Sequence, residues 1–355
     1  MFEFNPSKGV AEKAQHFQNE RVKKSLIFLF KEYIKKIGID DSKTSLIISN
    51  LLKIKKLTPE IHYLHYAFQD SMRKQKASCA GIYFHKLLDI IFNYSFKNNC
   101  ISISSVSNLE WECFVIEETK RLTLEDCGEM AEIDSISGVE LSRAKDQVCA
   151  ALCSIAKHDT GMFDEIEQHV QMIKLFRGKI TMGFTDARIL GAMLIRIPRE
   201  IVSPVPYFVE HIVHEASHIH LNCLMVVDSL ILNSPDDRFV SPLRADPRPM
   251  VGILHATFVS ARISRTFIKM YLSTGNVELL QIIAEALDET IRGISEIERS
   301  AKLTICGDQL VSSMKQLLDS AKHVIDWKSY NFEEKKMHRF GAGETRVADV
   351  KRAVA

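Results

Sequence analysis

Val10 to Ile37 carries Phe17, Val22, Leu26, Phe28, Leu29, Tyr33 and Ile34 largely at spacings of three and four. That separation stacks side chains on one face of an α-helix, so the chain opens on a long amphipathic helix that must bury its stripe against others. Gly38 supplies a stop. Helical periodicity returns at Ser45–Lys55, Pro59–Met72 and Ala80–Tyr94. The texture changes near residue 100. Cys100-Ile-Ser-Ile-Ser-Ser-Val and Glu112-Cys-Phe-Val-Ile-Glu alternate apolar and polar residues and favour strands, as do Lys179–Thr185 and Gly191–Ile197. Helices are expected at Gly138–His158 and Met162–Leu175, and then at Tyr207–Leu232, Pro249–Tyr271, Asn276–Glu298 and Ala301–Val324. The expected fold is mainly α with a small β-sheet (α+β). It divides into an N-terminal helical region, 1–97, and a region carrying the sheet and a helical bundle, 98–355, or forms one continuous domain.

A formal net charge of +1 gives no electrostatic case for nucleic acid as a partner. No apolar run approaches the roughly 18 residues that span a bilayer, and the first twenty residues lack a signal-peptide pattern. The expectation is a cytoplasmic chain with no membrane partner; its oligomeric state is not legible. None of the eight cysteines forms a Cys-x-x-Cys pair. Cys149 and Cys153, one helical turn apart, read as small buried hydrophobes.

Chemistry concentrates in Glu210-His-Ile-Val-His-Glu-Ala-Ser-His-Ile-His. At roughly 100° per residue, His214 and His218 differ by about 40° around the helix axis and emerge from one face, a turn apart. Two imidazoles so placed grip one ion, and Glu215 reaches a metal-bound ligand without coordinating. His211 sits a turn earlier on nearly the same face and reads as an outer partner; His220 points away. The pair does not choose between zinc, with Glu215 as the base of a peptidase, and iron with open positions, as in an oxygenase.

Downstream, Pro247 and Pro249 push Asp246 and Arg248 towards extended dihedrals. Alternate residues of an extended run face one way, so Arg244, Asp246 and Arg248 should project together, as a carboxylate-binding site. A helix start capped by Asp246 explains only part of this pattern. His255 follows on an apolar helix at the place a third ligand would need, with Asp246 as the alternative ligand. The second helix offers no glutamate, the usual third ligand of a peptidase, before Glu278.

Val213-His-Glu-Ala-Ser-His, Ser241-Pro-Leu-Arg-Ala-Asp-Pro-Arg-Pro and Gly252-Ile-Leu-His-Ala together resemble the HExxH-type, 2-oxoglutarate-dependent peptide β-hydroxylases, which act in the maturation of ribosomally made peptides. The resemblance covers about 175 to 265; the N-terminal half shares only a helical texture. It implies Fe(II) on His214, His218 and His255, with 2-oxoglutarate and O2 as cosubstrates. It also implies Arg244 and Arg248 as carriers of the cosubstrate or peptide carboxylate, and a precursor peptide as partner. Leu243 stands where an aromatic residue is expected, and Ala256 and Thr257 replace bulkier ones, departures that bear on substrate preference. The competing expectations are a zinc metallopeptidase and a non-catalytic peptide-binding maturation protein.

Overall fold

The structure is a computed structural model and describes residues 2–38, 41–94, 100–198, 204–242, 246–321 and 324. Leu243, Arg244 and the tail after Trp327 lie outside those residues.

Four helices come first: α1 (Lys8–Ile37), α2 (Asp41–Lys53), α3 (Pro59–Arg73) and α4 (Ala77–Phe92). The stripe of α1 buries Val22, Leu26, Leu29, Tyr33 and Ile34, whereas Phe17 and Phe28, expected with them, are exposed. Gly38 ends the helix at φ 72°, donating its N–H to the Ile34 carbonyl. A residue without Cβ adopts that left-handed conformation at no steric cost. Thr58 starts α3 by accepting the Ile61 N–H on its hydroxyl, ahead of Pro59.

The middle of the chain is β1 (Ser102–Ser105), α5 (Glu110–Cys127), β2 (Glu132–Asp134), α6 (Gly138–His158), α7 (Thr160–His169), β3 (Met172–Lys179), β4 (Gly183–Phe184) and β5 (Ala192–Arg196). Among the described residues five strands form a mixed sheet in the order β1-β3-β5-β4, with β2 also pairing β3. β3 runs parallel to β1 and β5, whereas β4 is antiparallel to β5 at the edge. Ile173, Leu175, Met193 and Ile195 pack into the core built with α6 to α10, while Phe176, Ala192 and Leu194 pack into that of α1 to α5. Cover on both faces is what allows near-continuous apolar strands.

Three sequence expectations need correction here. Glu112–Glu117 is not a strand but the start of α5. Its buried stripe is narrow, Trp111, Glu112 and Val115, and Glu112 is buried against Lys174 of β3 at 2.7 Å. Exposed turns are supported by Arg121 pairing with Glu118 and Glu125. Met162–Leu175 is not one helix: α7 ends at His169, and residues 172–175 are claimed by β1 and β5, which flank them. Cys149 and Cys153 are exposed on α6, because the buried face of that helix is Ala144, Val148, Ala151 and Ile155.

The C-terminal half is α8 (Pro204–Met225), α9 (Met250–Thr274), α10 (Leu280–Ser300) and α11 (Ile305–Ala321). α8 stops short of the expected Leu232; Leu230 there takes φ 61° and Ile231 bridges Leu303. α9 and α10 cross at Gly293, where a Cβ would stand 2.0 Å from the Thr257 hydroxyl. The protein is thus mainly α with a small mixed sheet. Among the described residues, no helix is long and apolar enough to cross a membrane.

Candidate metal centre

α8 carries the His-Glu-Ala-Ser-His motif, anchored by a buried stripe that includes Phe208, Ile212, Ala216 and Ile219. His214 and His218 are half-buried, and their Nε2 atoms lie 3.2 Å apart. Two nitrogens held at about 2.0–2.1 Å by one ion must lie within about 4 Å of each other, so this pair meets the requirement. His255, from α9, brings its Nδ1 within 3.1 Å of the His218 Nδ1, with the two rings stacked at 5.3 Å. The three predicted imidazoles are therefore in contact. His218 sits between the others and shows them different nitrogens. For that reason the three do not already converge on one point, and among the described residues no group of three or more His, Cys, Asp or Glu does so.

Burial shapes the charge states. Desolvation holds the His218 imidazole well below its ordinary pKa, helped by His214 and His255, and desolvation lowers His255 to about 4. Neutral imidazole is the form that binds a metal. Desolvation also raises the Glu215 carboxyl to about 8. Glu215 is 3% exposed, and its Oε2 has no hydrogen-bond partner. A buried polar atom without a partner costs free energy, so it marks a place where a ligand or proton belongs. The imidazoles of His218 and His255, kept neutral by burial, together with that of His214 are a donor set whose chemistry fits a divalent transition metal.

His214 and Glu215 open into a recess of about 100 Å³. One wall is Ile180–Gly183, the turn into edge strand β4; Thr123, Asp126 and Cys127 come from the end of α5, Ser260 and Ile263 from α9, and Glu289 from α10. Gly183 passes so close that a Cβ would stand 3.0 Å from Glu215 Oε1 and 3.1 Å from the Leu194 carbonyl. Ser260 donates to Glu289 Oε2 at 2.8 Å. His211 lines the same recess, its ring edge-on to Tyr207 at 4.2 Å, whose hydroxyl donates to the Arg196 carbonyl.

Asp246 and Arg248 do face each other, as the extended reading requires, with Arg248 Nε 2.7 Å from Asp246 Oδ2. Arg248 also reaches Asp126 at 3.1 Å, tying this segment to α5 at the rim of the recess. Both approaches lie off the N–H directions, so Nε and Nη2 of Arg248 keep hydrogens without an acceptor. The Arg248 backbone pairs both ways with Phe239, which keeps the segment extended. α9 starts at Met250 behind Pro249, so Asp246 is not its cap. Arg244, the other predicted arginine, lies outside the described residues.

His220 is fully buried on the opposite side of α8, bonded through Nδ1 to His169 Nε2 at 2.9 Å, and His169 Nδ1 meets the Gln15 side-chain oxygen at 2.8 Å. Behind them Glu165 pairs with Arg262, which donates to the Phe4 carbonyl at 3.1 Å.

Sequence reasoning missed Ile180–Gly183, Ser260 and Glu289. A glycine inside a strand pattern signals close backbone approach, and Gly183 carried that signal; nothing marked Glu289, thirty-four positions beyond His255. No protein-family model and no curated protein matches this chain.

Proposed function

We propose that the chain is a cytoplasmic Fe(II)- and 2-oxoglutarate-dependent oxygenase that hydroxylates a side-chain β-carbon in a ribosomally made peptide. The observation that carries the reading is the third imidazole: a histidine of α9 meets the HExxH pair, where a hydrolase usually supplies a glutamate. His214 and His218 would hold the iron, with His255 as third ligand. When bound, iron with 2-oxoglutarate and O2 supplies the oxidation, leaving one oxygen atom in succinate and one on the peptide.

The chain's own residues do the rest. The apolar body of α8 and α9 fixes the two histidine-bearing faces, which sets the ligand geometry. Arg248, held beside the recess by Asp126 and Asp246, would take an incoming carboxylate in place of one of them, the geometry guanidinium recognises. Glu215, uncharged at neutral pH by burial, keeps a proton at its carboxyl and bonds whatever enters the recess beside His214.

Purified protein with Fe(II), ascorbate, labelled 2-oxoglutarate and a library of linear peptides should yield labelled succinate and peptides one oxygen atom heavier. Peptide cleaved without succinate defeats the oxygenase reading.

One observation favours a second reading, a zinc metallopeptidase. Glu215 lines the recess next to His214 and has an unpartnered Oε2, as a water-activating base would, and Glu289 brings a further carboxylate to the same recess. Cleavage that requires zinc and Glu215 is its signature.

A further inference from the structure

We infer that the edge of β4 is the substrate's docking rail: a peptide adds to the sheet beside Gly183 in extended form and so lies across the recess at His214 and Glu215. The inference rests on the peptide reading above but not on the metal or the oxidation.

The register of the sheet makes the first argument. Gly183 pairs with Ile195 and Phe184 with Leu194, and the Arg196 N–H donates to the Met182 carbonyl at 2.8 Å. Antiparallel ladders alternate between hydrogen-bonded and non-hydrogen-bonded pairs. Residues 182 and 196 form a bonded pair, so 183 and 195 form the non-bonded one. The N–H and C=O of Gly183 therefore point away from β5, towards the outer edge of β4, where no further strand pairs among the described residues. The Thr181 hydroxyl donates to that carbonyl at 3.0 Å, a bond that an incoming strand's N–H would replace. β4 is the last strand of the sheet order.

A second argument is backbone strain in the same turn. Ile180 lines the recess and has φ 73°. A β-branched residue in the left-handed region is a true outlier, and such strain persists where surrounding structure enforces it, commonly at ligand clamps.

The third argument is size. Pockets that engulf a ligand run to roughly 300–1,000 Å³, and this recess holds about 100 Å³. A peptide cannot enter it; one side chain can, from a backbone lying along the rim. Strand addition provides that arrangement, because main-chain bonds supply affinity while alternate side chains point to one face.

The test uses the full-length protein without metal or 2-oxoglutarate. The probe is a random library of capped octapeptides carrying a central benzoylphenylalanine, photocrosslinked and mapped by mass spectrometry. The expected result is crosslinking concentrated at Ile180–Phe184 and Thr123–Cys127. A matched library with backbone amides replaced by esters keeps the extended geometry but loses the N–H donors, and should crosslink there roughly tenfold less. Equal crosslinking by both libraries overturns strand addition, as does crosslinking centred elsewhere or none above background. The oxygenase reading fails separately, through absence of succinate.

Discussion

The Nε2 atoms of His214 and His218 stand 3.2 Å apart on successive turns of α8, with their rings inclined at 63°. At that distance one nitrogen donates a proton to the other, and the proposed ion would take that proton's place. His214→Ala and His218→Ala should each weaken Fe(II) or Co(II) binding, read by calorimetry and the Co(II) absorption bands, by more than the roughly hundredfold ceiling for outer partners. His255→Ala should match them. A loss of only ten- to a hundredfold would instead make His255 a partner that orients His218 through Nδ1.

Glu215→Gln separates the two chemistries at this centre. In the oxygenase it should retain the metal and a substantial share of succinate formation. A peptidase would lose about 10²- to 10⁴-fold in kcat, the range for removing a general base.

Gly293 tests the α9–α10 crossing. The Cβ of Gly293→Ala would meet the Thr257 side chain, whose own Cβ is 2.9 Å away and whose hydroxyl donates to the Ile253 carbonyl. Overpacking of this kind costs about 1–3 kcal/mol. Urea denaturation should show that loss, and Thr257→Gly in the same chain should recover part of it.

Stability should fall on acidification. His62 and His169 are fully buried, and desolvation, with nearby positive groups adding to it, lowers both to about 3 from 6.5. Below pH 6.5 the unfolded chain takes up protons that the folded chain refuses, so stability declines progressively from about pH 6.5 towards pH 3. Denaturation midpoints at pH 7 and pH 5 should show the drop, and His169→Gln should shrink it. Unchanged midpoints would mean these rings are charged in the fold.

Arg262 and Glu165 form a fully buried ion pair. Burial pushes the Glu165 carboxyl up and the Arg262 guanidinium down, each against the pull of the other. Arg262→Met alone strands a buried carboxylate and should cost about 3–5 kcal/mol, whereas Arg262→Met with Glu165→Leu should recover most of it. Equal losses in the single and double variants would show that packing against Phe258 and Phe4, rather than charge, holds Arg262.

Where a broad apolar stripe meets a terminator, the sequence spoke clearly: Val10–Ile37 closed by Gly38 became α1, and Gly138–His158 became α6. α5 was hidden because Val115 and Ile116 are β-branched and its stripe is thin, and charged pairs on the exposed turns leave no periodic mark. The end of α7 was hidden because Ile166, Val170 and Ile173 continue the helical spacing into β3; only the strands on either side of β3 decide that segment. His214 and His218 were legible because one helix fixes their relation over four residues, whereas His255, on α9, meets them only through the packing of α9 against α8. The recess was not, since its walls come from a sheet edge, the end of α5 and α10, brought together by tertiary folding.

The bond between His220 and His169 has a consequence for the opposite side of α8. Apolar contacts alone tolerate a helix that twists a little about its own axis, because one methyl group replaces another. The hydrogen-bonded file Gln15–His169–His220 does not, since a turn of one residue would leave polar atoms facing hydrocarbon. It works as an index pin, setting the angle at which His214 faces the recess.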